Sequence, residues 1–359
     1  MSWQISEADL CSIATGAALL GTGGGGNPYL GLLRARELLR SGLRMQAVSP
    51  EGLPDDALVV CAGGMGAPVV SWEKLPRGEE EADAVRTLEE YLGRRAEAIA
   101  PLEMGGSNSL VALAVGAQLD VPVLDGDGMG RAFPELQMVT YLIYGGSPAP
   151  AAVTDEKGNR TLLSRVRDAY ALERIARAVT IEYGGHAGLA MCPMTGTEAR
   201  TRCVPGTLSL ALRAGQAIED ARMGSRDPVE AVLKVTGSCR VFRGKIVDVE
   251  RRLVSGFARG QTTLEGLGTH AGETVVVEFQ NENLIARRDG EVLAVVPDLI
   301  ALVDSDSAEP MTVEVLRYGF RVDVLLLPPS PVLTTTQALR FVGPRAFGYE
   351  VDYRPGQRL

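Results

Sequence analysis

The chain has 359 residues, of which 45% are hydrophobic and 23% charged, so it is long enough for about two globular domains. Its formal net charge of −9 at pH 7 argues against a nucleic-acid-binding protein, because such proteins usually carry a basic patch. No apolar run reaches the length of a membrane span. We therefore expect a small-molecule substrate, with neither nucleic acid nor a membrane as partner.

The cysteines predict a reduced, cytoplasmic protein. They are five in number and widely spaced, and no C-x-x-C pair occurs, so a disulfide framework is not expected. The first residues lack the basic segment and the apolar core of a signal peptide. The oligomeric state cannot be derived from these features, and our working expectation is a homo-oligomer.

The first half of the chain alternates helices, strands and Gly-rich loops. Ser6, with Asp9 three residues later, predicts a capped helix that runs to about residue 20. A glycine run at 21–26 follows, and Pro28 begins a second helix. Further helices are expected at 79–98, 110–119, 164–181 and 206–223, with strands at 57–61 and 121–124 and a hairpin at 151–163.

From about residue 238 the pattern changes to short β-branched runs separated by turns, which is typical of a β-sandwich or barrel-like domain. The expected strands are 240–249, 260–264, 274–280, 291–296, 299–303, 312–315 and 322–327. We predict an α/β N-terminal domain at 1–234, with Gly-rich strand-end loops, and a β-rich C-terminal domain at 235–359. The chain is thus an α+β multidomain protein overall, and its aromatic, Gly-rich tail is expected to pack back on the body.

Two strand-end loops, joined by a helix, are unusually dense in glycines and charged side chains. They carry Glu103, Asp125, Asp127 and Arg131, and such loops commonly hold the sites of α/β proteins. Asp125 and Asp127 could divide the roles of base and acid between them. The alternative is that one of them caps a helix while the other is solvated.

Of the two histidines, His186 lies in a Gly-rich turn, whereas His270 lies in what reads as an exposed loop. Imidazole suits proton transfer near neutral pH, so His186 joins Glu103, Asp125 and Asp127 as a candidate catalytic residue. Asp125, Asp127 and His186 are also candidate ligands for a divalent metal ion. Whether a metal is bound stays open at this point.

The glycine run formally matches G-x-G-x-x-G, but a helix-like pattern precedes it and no acidic residue closes the next strand. A dinucleotide site is therefore disfavoured. The exposed backbone N–H groups instead predict a cradle for an anion or a carbonyl oxygen. The candidate substrate-binding residues in this loop and in the strand-end loops are Gly23, Gly24, Gly25, Asn27, Gly106, Ser107, Asn108 and Arg131.

Taken together, these motifs resemble the S-methyl-thiohydantoin desulfurase family. The resemblance rests on the glycine run with Asn27 and Pro28, on 103–108 and on 125–137. The later segments 280–284, 297–300 and 318–319 resemble that family's C-terminal domain. The resemblance implies hydrolysis of a five-membered S-methylated thiohydantoin ring to a hydantoin and methanethiol.

Three hypotheses follow. In the first, the protein is a hydrolase of a small cyclic amide or thioamide-like ring. Asp125, Asp127 or a bound metal activates water, backbone N–H groups of the glycine loops stabilise negative charge, and Arg131 pairs with a substrate carboxylate. In the second, the chain is a non-catalytic partner subunit or binding module of a hydantoinase/oxoprolinase-type complex, docking through its β-rich region. The third and weakest is a nucleotide-binding enzyme that uses the glycine run.

Overall fold

The computed structural model describes residues 2–66, 70, 73–254 and 257–356. It confirms the predicted fold class, with helices and a mixed sheet in the N-terminal region and an antiparallel sheet in the C-terminal region. Within the described residues, no helix is long and apolar enough to cross a membrane. The domain boundary at 234/235 stays a prediction.

The N-terminal region supplies ten strands and nine helices among the described residues. The strands are β1 Ser2–Gln4, β2 Gln46–Val48, β3 Val59–Gly66, β4 Ala98–Pro101, β5 Val123–Leu124, β6 Gly126–Asp127, β7 Ala151–Thr154, β8 Arg160–Leu163, β9 His186–Met194 and β10 Val204–Pro205. The helices are α1 Glu7–Leu20, α2 Pro28–Arg40, α3 Glu80–Leu92, α4 Ser107–Leu119, α5 Thr140–Ile143, α6 Ala169–Glu182, α7 Gly196–Arg202, α8 Thr207–Met223 and α9 Pro228–Thr236.

The mixed sheet has the strand order β1-β2-β5-β4-β3-β9-β7-β8 over the described part of the chain. Its centre, from β2 to β3, is parallel, whereas β9 runs antiparallel to β3. Alternate residues of β3 face opposite cores: Val60 and Ala62 face helices α1, α2 and α4, and Val59 and Cys61 face the side that holds α5 and α6. Helices therefore cover both faces of the sheet.

The C-terminal sheet is antiparallel, with the order β15-β14-β13-β12-β11-β17-β16 in the described residues. Its strands are β11 Cys239–Val254, β12 Phe257–Gly266, β13 Thr274–Gln280, β14 Glu282–Arg288, β15 Glu291–Val295, β16 Leu299–Asp304 and β17 Arg321–Leu327. Ile300 and Leu302 face this sheet's own core, while Leu299 and Ala301 pack into the helical core of the N-terminal region. One face of the sheet thus rests against the first region.

After β17, helix α10 Thr336–Val342 and the residues that follow it pack on the side of the mixed sheet that also holds α5 and α6. The rings of Phe133 and Phe347 stack with centroids 6.3 Å apart. Tyr353 donates a hydrogen bond from its hydroxyl to Asp298 Oδ1 over 2.8 Å. The tail therefore lies close to the loop that carries Phe133.

Local signals predict α1 correctly, since Ser6 and Asp9 form a complete capping box. The helix expected at 79–98 was too long, because Gly93 adopts a left-handed backbone (φ 66°) that ends α3, and β4 follows. The strand expected at 312–315 is absent: the chain there makes turns and only Pro310 bridges to Val303. Strands β9 and β14 were not predicted.

Candidate functional site

A cavity of about 320 Å³ lies at the carboxyl ends of β3 and β4, where α/β proteins commonly bind ligands. Its walls come from the glycine loop and α2, the end of β3, the segments 102–111 and 129–136, the start of β9 and residues 281–282. Because β9 runs antiparallel to β3, its first residue, His186, pairs with the last residue of β3, Gly66. This register brings His186 to the same edge as the loop after β4.

Glu103 is held at the cavity wall by two donors. Its Oε1 accepts a hydrogen bond from Asn108 Nδ2 over 2.6 Å, and its Oε2 accepts one from the backbone N–H of Phe133 over 3.2 Å. Asn108 is itself fixed, because its Oδ1 accepts from the N–H of Gly64 over 2.7 Å. Burial raises the pKa of the Glu103 carboxyl to about 8, even though both hydrogen bonds lower it.

The His186 side chain lies beside Gly64, two residues before Gly66, with which the His186 backbone pairs. A β-carbon placed on Gly64 would lie 3.1 Å from His186 Nε2 and 3.4 Å from Asn108 Oδ1, so the missing side chain leaves room for both groups. Burial lowers the pKa of His186, and the nearby Glu81 carboxylate offsets this only in part. The imidazole is therefore neutral near pH 7.

An ion pair between Arg34 and Glu81 lies near the imidazole. Arg34 Nη1 lies 2.7 Å from Glu81 Oε2, and the Glu81 side chain is buried. Burial alone would raise the pKa of Glu81, but Arg34 and His186 together hold it below its usual value. Lys74 donates a hydrogen bond to the carbonyl of His186 over 2.7 Å and so fixes the start of β9.

Glu282 reaches the cavity from the C-terminal sheet. It is the first residue of β14, its side chain is buried, and its Oε2 has no hydrogen-bond partner among the described residues. Burial raises the pKa of the Glu282 carboxyl well above its usual range, and the nearby Glu103 raises it further. Sequence reasoning missed this residue, since nothing local in 280–284 marks it as part of a site that is built mainly by the first half of the chain.

Two protein-family descriptions together match nearly all of this chain. The description "S-Me-THD-like, N-terminal domain" matches residues 8–165, and "S-Me-THD-like, C-terminal domain" matches residues 167–356. The chain belongs to the S-Me-THD-like family. This confirms the family that the motifs predicted.

The fold of this chain is also similar to that of a solved structure. The X-ray structure of a protein from Chromobacterium violaceum is similar to this chain with a TM-score of 0.79 and 24% sequence identity, covering 98% of this chain and 99% of that one. This likeness shows the fold alone. A search of curated proteins finds no match.

In this S-Me-THD-like chain, only some of the predicted site residues meet at the cavity. Those that line it are Gly25, Asn27, Glu103, Ser107, Asn108 and His186. Those that do not line it are Gly23, Gly24, Gly106, Asp125, Asp127 and Arg131. The second group is held by contacts within the protein.

Asp125 caps a helix. Its two carboxylate oxygens accept hydrogen bonds from the N–H and the hydroxyl of Ser209, over 2.9 and 2.8 Å, in the first turn of α8. The aspartate thus satisfies one backbone donor of a helix that begins about 80 residues later in the chain. This contact, and not a substrate, accounts for the Asp125 carboxylate.

Asp127 joins the two strand-end loops. Its carboxylate accepts hydrogen bonds from the backbone N–H groups of Met104 (2.7 Å), Met129 (3.2 Å) and Gly130 (2.9 Å), and it is fully buried. Burial raises its pKa to about 7, although these hydrogen bonds lower it. Asp127 therefore holds the segment that carries Glu103 without reaching the cavity itself.

Arg131 is committed to protein oxygens. Its buried guanidinium donates to the carbonyls of Ala132, Asn283 and Asp298 and to Thr22 Oγ1, over distances of 2.5 to 3.1 Å. These contacts join the glycine loop, the acidic loop and the C-terminal sheet. Arg131 does not line the cavity, and its expected pairing with a substrate carboxylate stays a prediction.

Several N–H groups of the glycine loops are likewise occupied. Gly24 donates to the carbonyl of Gly21, Gly106 to that of Ala17, and Ser107 to those of Gly25 and Gly26. A β-carbon on Gly25 would lie 2.3 Å from the Gly105 carbonyl oxygen, so the two loops touch backbone to backbone. Asn27 caps α2 by accepting from the N–H of Tyr29 over 2.8 Å.

The candidate metal ligands do not come together. Asp125 caps α8, Asp127 is enclosed by backbone donors, and His186 lies at the cavity. In the described part of the chain, no group of three or more His, Cys, Asp or Glu side chains is arranged to hold a metal ion. Any metal bound by this chain would need ligands other than this set.

Proposed function

We propose that the protein hydrolyses an S-methyl-thiohydantoin-type ring at the carbon that carries the sulfur, yielding a hydantoin and methanethiol. The observation that carries this proposal is a carboxyl group with a raised pKa and an imidazole with a lowered pKa on the walls of one cavity. Near pH 7 the Glu103 carboxyl keeps its proton while His186 is free to accept one. Family membership directs the choice of ring.

The proposed reaction uses both groups twice. His186 takes a proton from water as its oxygen bonds to the ring carbon C2, and the Glu103 carboxyl gives its proton to N3, to which C2 is doubly bonded. The tetrahedral carbon then carries a hydroxyl and the S-methyl group. On collapse, the C2–S bond breaks, the imidazolium protonates the sulfur, and the hydroxyl proton returns to Glu103. One water is consumed, one methanethiol leaves, and both residues regain their starting forms.

The surrounding contacts suit these roles. Asn108 holds Glu103 in place through a hydrogen bond to Oε1. The carboxyl proton can then point only in a direction that this hydrogen bond leaves free, and one such direction is into the cavity. The ionised Glu81 near His186 stabilises the imidazolium that forms when water is deprotonated. The cavity volume is at the small end of ligand sites, which suits a single five-membered ring.

Methanethiol release from an S-methyl-thiohydantoin tests the proposal. Glu103→Gln and His186→Gln should each lower kcat by about 100-fold or more, the usual contribution of an acid or base. His270→Gln is the matched control, because His270 pairs with Glu273 and lies outside the cavity. Full activity in both cavity variants would remove the proposal.

The alternative of a non-catalytic partner subunit gives a different result in the same assay. The purified chain alone would release no methanethiol, but would form a stoichiometric complex with a hydantoinase/oxoprolinase-type protein in gel filtration. Turnover by the isolated chain would dispose of this alternative.

A further inference from the structure

The glycine run at 21–26 is built around a carboxyl group and not around a phosphate. A β-carbon on Gly24 would lie 2.0 Å from Glu282 Oε1 and 2.5 Å from its Cδ, so any side chain there would displace this carboxyl. The loop is also bonded to the C-terminal region at the two residues that precede this contact. Asn283 donates its N–H to the carbonyl of Thr22 over 2.8 Å, and Val313 donates to that of Gly23 over 2.8 Å.

Among the described residues no ion pair is seen for this carboxyl, although the charge of Arg131 and the backbone N–H of Gly25 both lower its pKa. The guanidinium of Arg131 gives its own hydrogen bonds to three carbonyls and a hydroxyl. Glu282 Oε2 is buried without a hydrogen-bond partner among the described residues, yet the side chain lines the cavity. A buried carboxyl in such surroundings stays protonated, and a protonated carboxyl is a hydrogen-bond donor.

We propose that Glu282 is a substrate-binding residue that donates a hydrogen bond to the ring carbonyl oxygen of the ligand, and that the glycine run exists to seat it. This inference rests on the proposed function, because it assumes a five-membered ring in the same cavity. A hydantoin or its S-methylated thio-analogue carries a carbonyl at C4, next to N3. Attack at C2 shifts electron density through N3 onto that oxygen, so the same hydrogen bond would also strengthen during the reaction.

A pair of inert ligands isolates this contact. Hydantoin and 2-imidazolidinone differ in the C4 carbonyl, and their binding can be measured by calorimetry without turnover. We expect the wild-type protein to bind hydantoin about 10-fold more tightly or better, since a buried donor left without an acceptor loses its hydration and gains nothing in return. Glu282→Leu should lose most of this preference, whereas Glu282→Gln, which keeps a donor, should retain most of it.

Two further variants separate this role from a structural one. Gly24→Ala leaves Glu282 intact but forces its carboxyl aside, so it should lose the preference as Glu282→Leu does, and it tests the proposal even if the leucine variant does not fold. Glu314→Gln is the matched control, since Glu314 is a neighbouring carboxyl that does not line the cavity. It should keep the wild-type preference.

The outcomes distinguish the two levels of the account. If wild-type protein releases methanethiol but the preference is the same in wild type, Glu282→Leu and Gly24→Ala, the role of Glu282 is overturned and the proposed function stands. If the wild-type protein neither releases methanethiol nor binds either ring, both are overturned. Loss of the preference in Glu282→Leu and Gly24→Ala, with retention in Glu314→Gln, supports both.

Discussion

At the scale of single residues, burial moves the pKa of Glu103 up and that of His186 down, because desolvation favours the neutral form of each group. The two neutral forms are a proton donor and a proton acceptor. An acid and a base of this kind coexist only in the interval between the two pKa values. Within that interval both side chains are uncharged, so a proton donor and a proton acceptor are present together in the cavity.

This arrangement predicts a bell-shaped dependence of kcat/KM on pH. Activity should fall as pH rises through about 8, where Glu103 loses its proton, and should fall at acidic pH, below the ordinary His value, where His186 gains one. Steady-state methanethiol release between pH 5 and 9.5 measures both limbs. Activity that keeps rising beyond pH 9 would contradict the role of Glu103 as the acid.

The sequence indicates Glu103, Asn108 and His186, because residue type and position at loop ends are local signals. It indicates Asp125 and Asp127 equally, although they do not line the cavity, since a carboxylate that accepts backbone N–H groups looks the same in a sequence as one that faces a ligand. Glu282 is beyond such reasoning altogether. Its place depends on how the C-terminal sheet packs on the first region, which no local pattern encodes.

At the scale of elements, helix α8 depends on an acceptor from elsewhere in the chain. The residue before α8 is Gly206, which has no side-chain atom that could accept a hydrogen bond from the helix. Asp125 supplies the acceptor instead and receives hydrogen bonds from the N–H and the hydroxyl of Ser209. Asp125→Ala should therefore lower the free energy of unfolding by about 1 kcal/mol and leave kcat unchanged. Urea unfolding measures the loss, and Ser209→Ala, which removes one of the two hydrogen bonds, should show a smaller one.

The two strand-end loops depend on Asp127 in a similar way. Asp127→Asn replaces one acceptor oxygen by a donor that faces backbone N–H groups, so we expect a loss of about 2 kcal/mol or more in the free energy of unfolding. Turnover should fall only as far as Glu103 is displaced. Abolished turnover with unchanged stability would instead assign Asp127 to the chemistry.

Element boundaries show the same division between local and distant causes. The capping box at Ser6 begins α1, and the left-handed backbone of Gly93 ends α3. Both boundaries depend on residues that are close in the sequence. Strand β4 follows so closely on α3 that one continuous helix fitted the pattern. Strand β14 follows directly on Asn281, which has φ 59°, a conformation stabilised when its side-chain oxygen accepts from the N–H of Ala258 over 2.8 Å.

At the scale of the whole molecule, Arg131 connects the glycine loop, the acidic loop and the C-terminal sheet. Arg131→Met would leave three carbonyls and a hydroxyl without this donor, so we expect a loss of about 3–5 kcal/mol, as for other broken buried polar contacts. Thermal unfolding monitored by circular dichroism measures it. A melting temperature within a degree or two of wild type would show that the two regions do not depend on this side chain.

The cavity itself is a property of the whole chain. Its proposed acid and base come from the loop after β4 and the start of β9, whereas Glu282 comes from β14 in the other sheet. Fold class and family could be predicted from the sequence. The meeting of these three residues could not, because it depends on the packing of one sheet against the other.

The most direct test of the central claim is turnover of an S-methyl-thiohydantoin in ¹⁸O-labelled water, followed by mass spectrometry of the ring product. The account predicts one methanethiol per ring and a hydantoin that is 2 Da heavier, with the label at the C2 carbonyl. No methanethiol from the wild-type protein, or a product ring without the label, would contradict it.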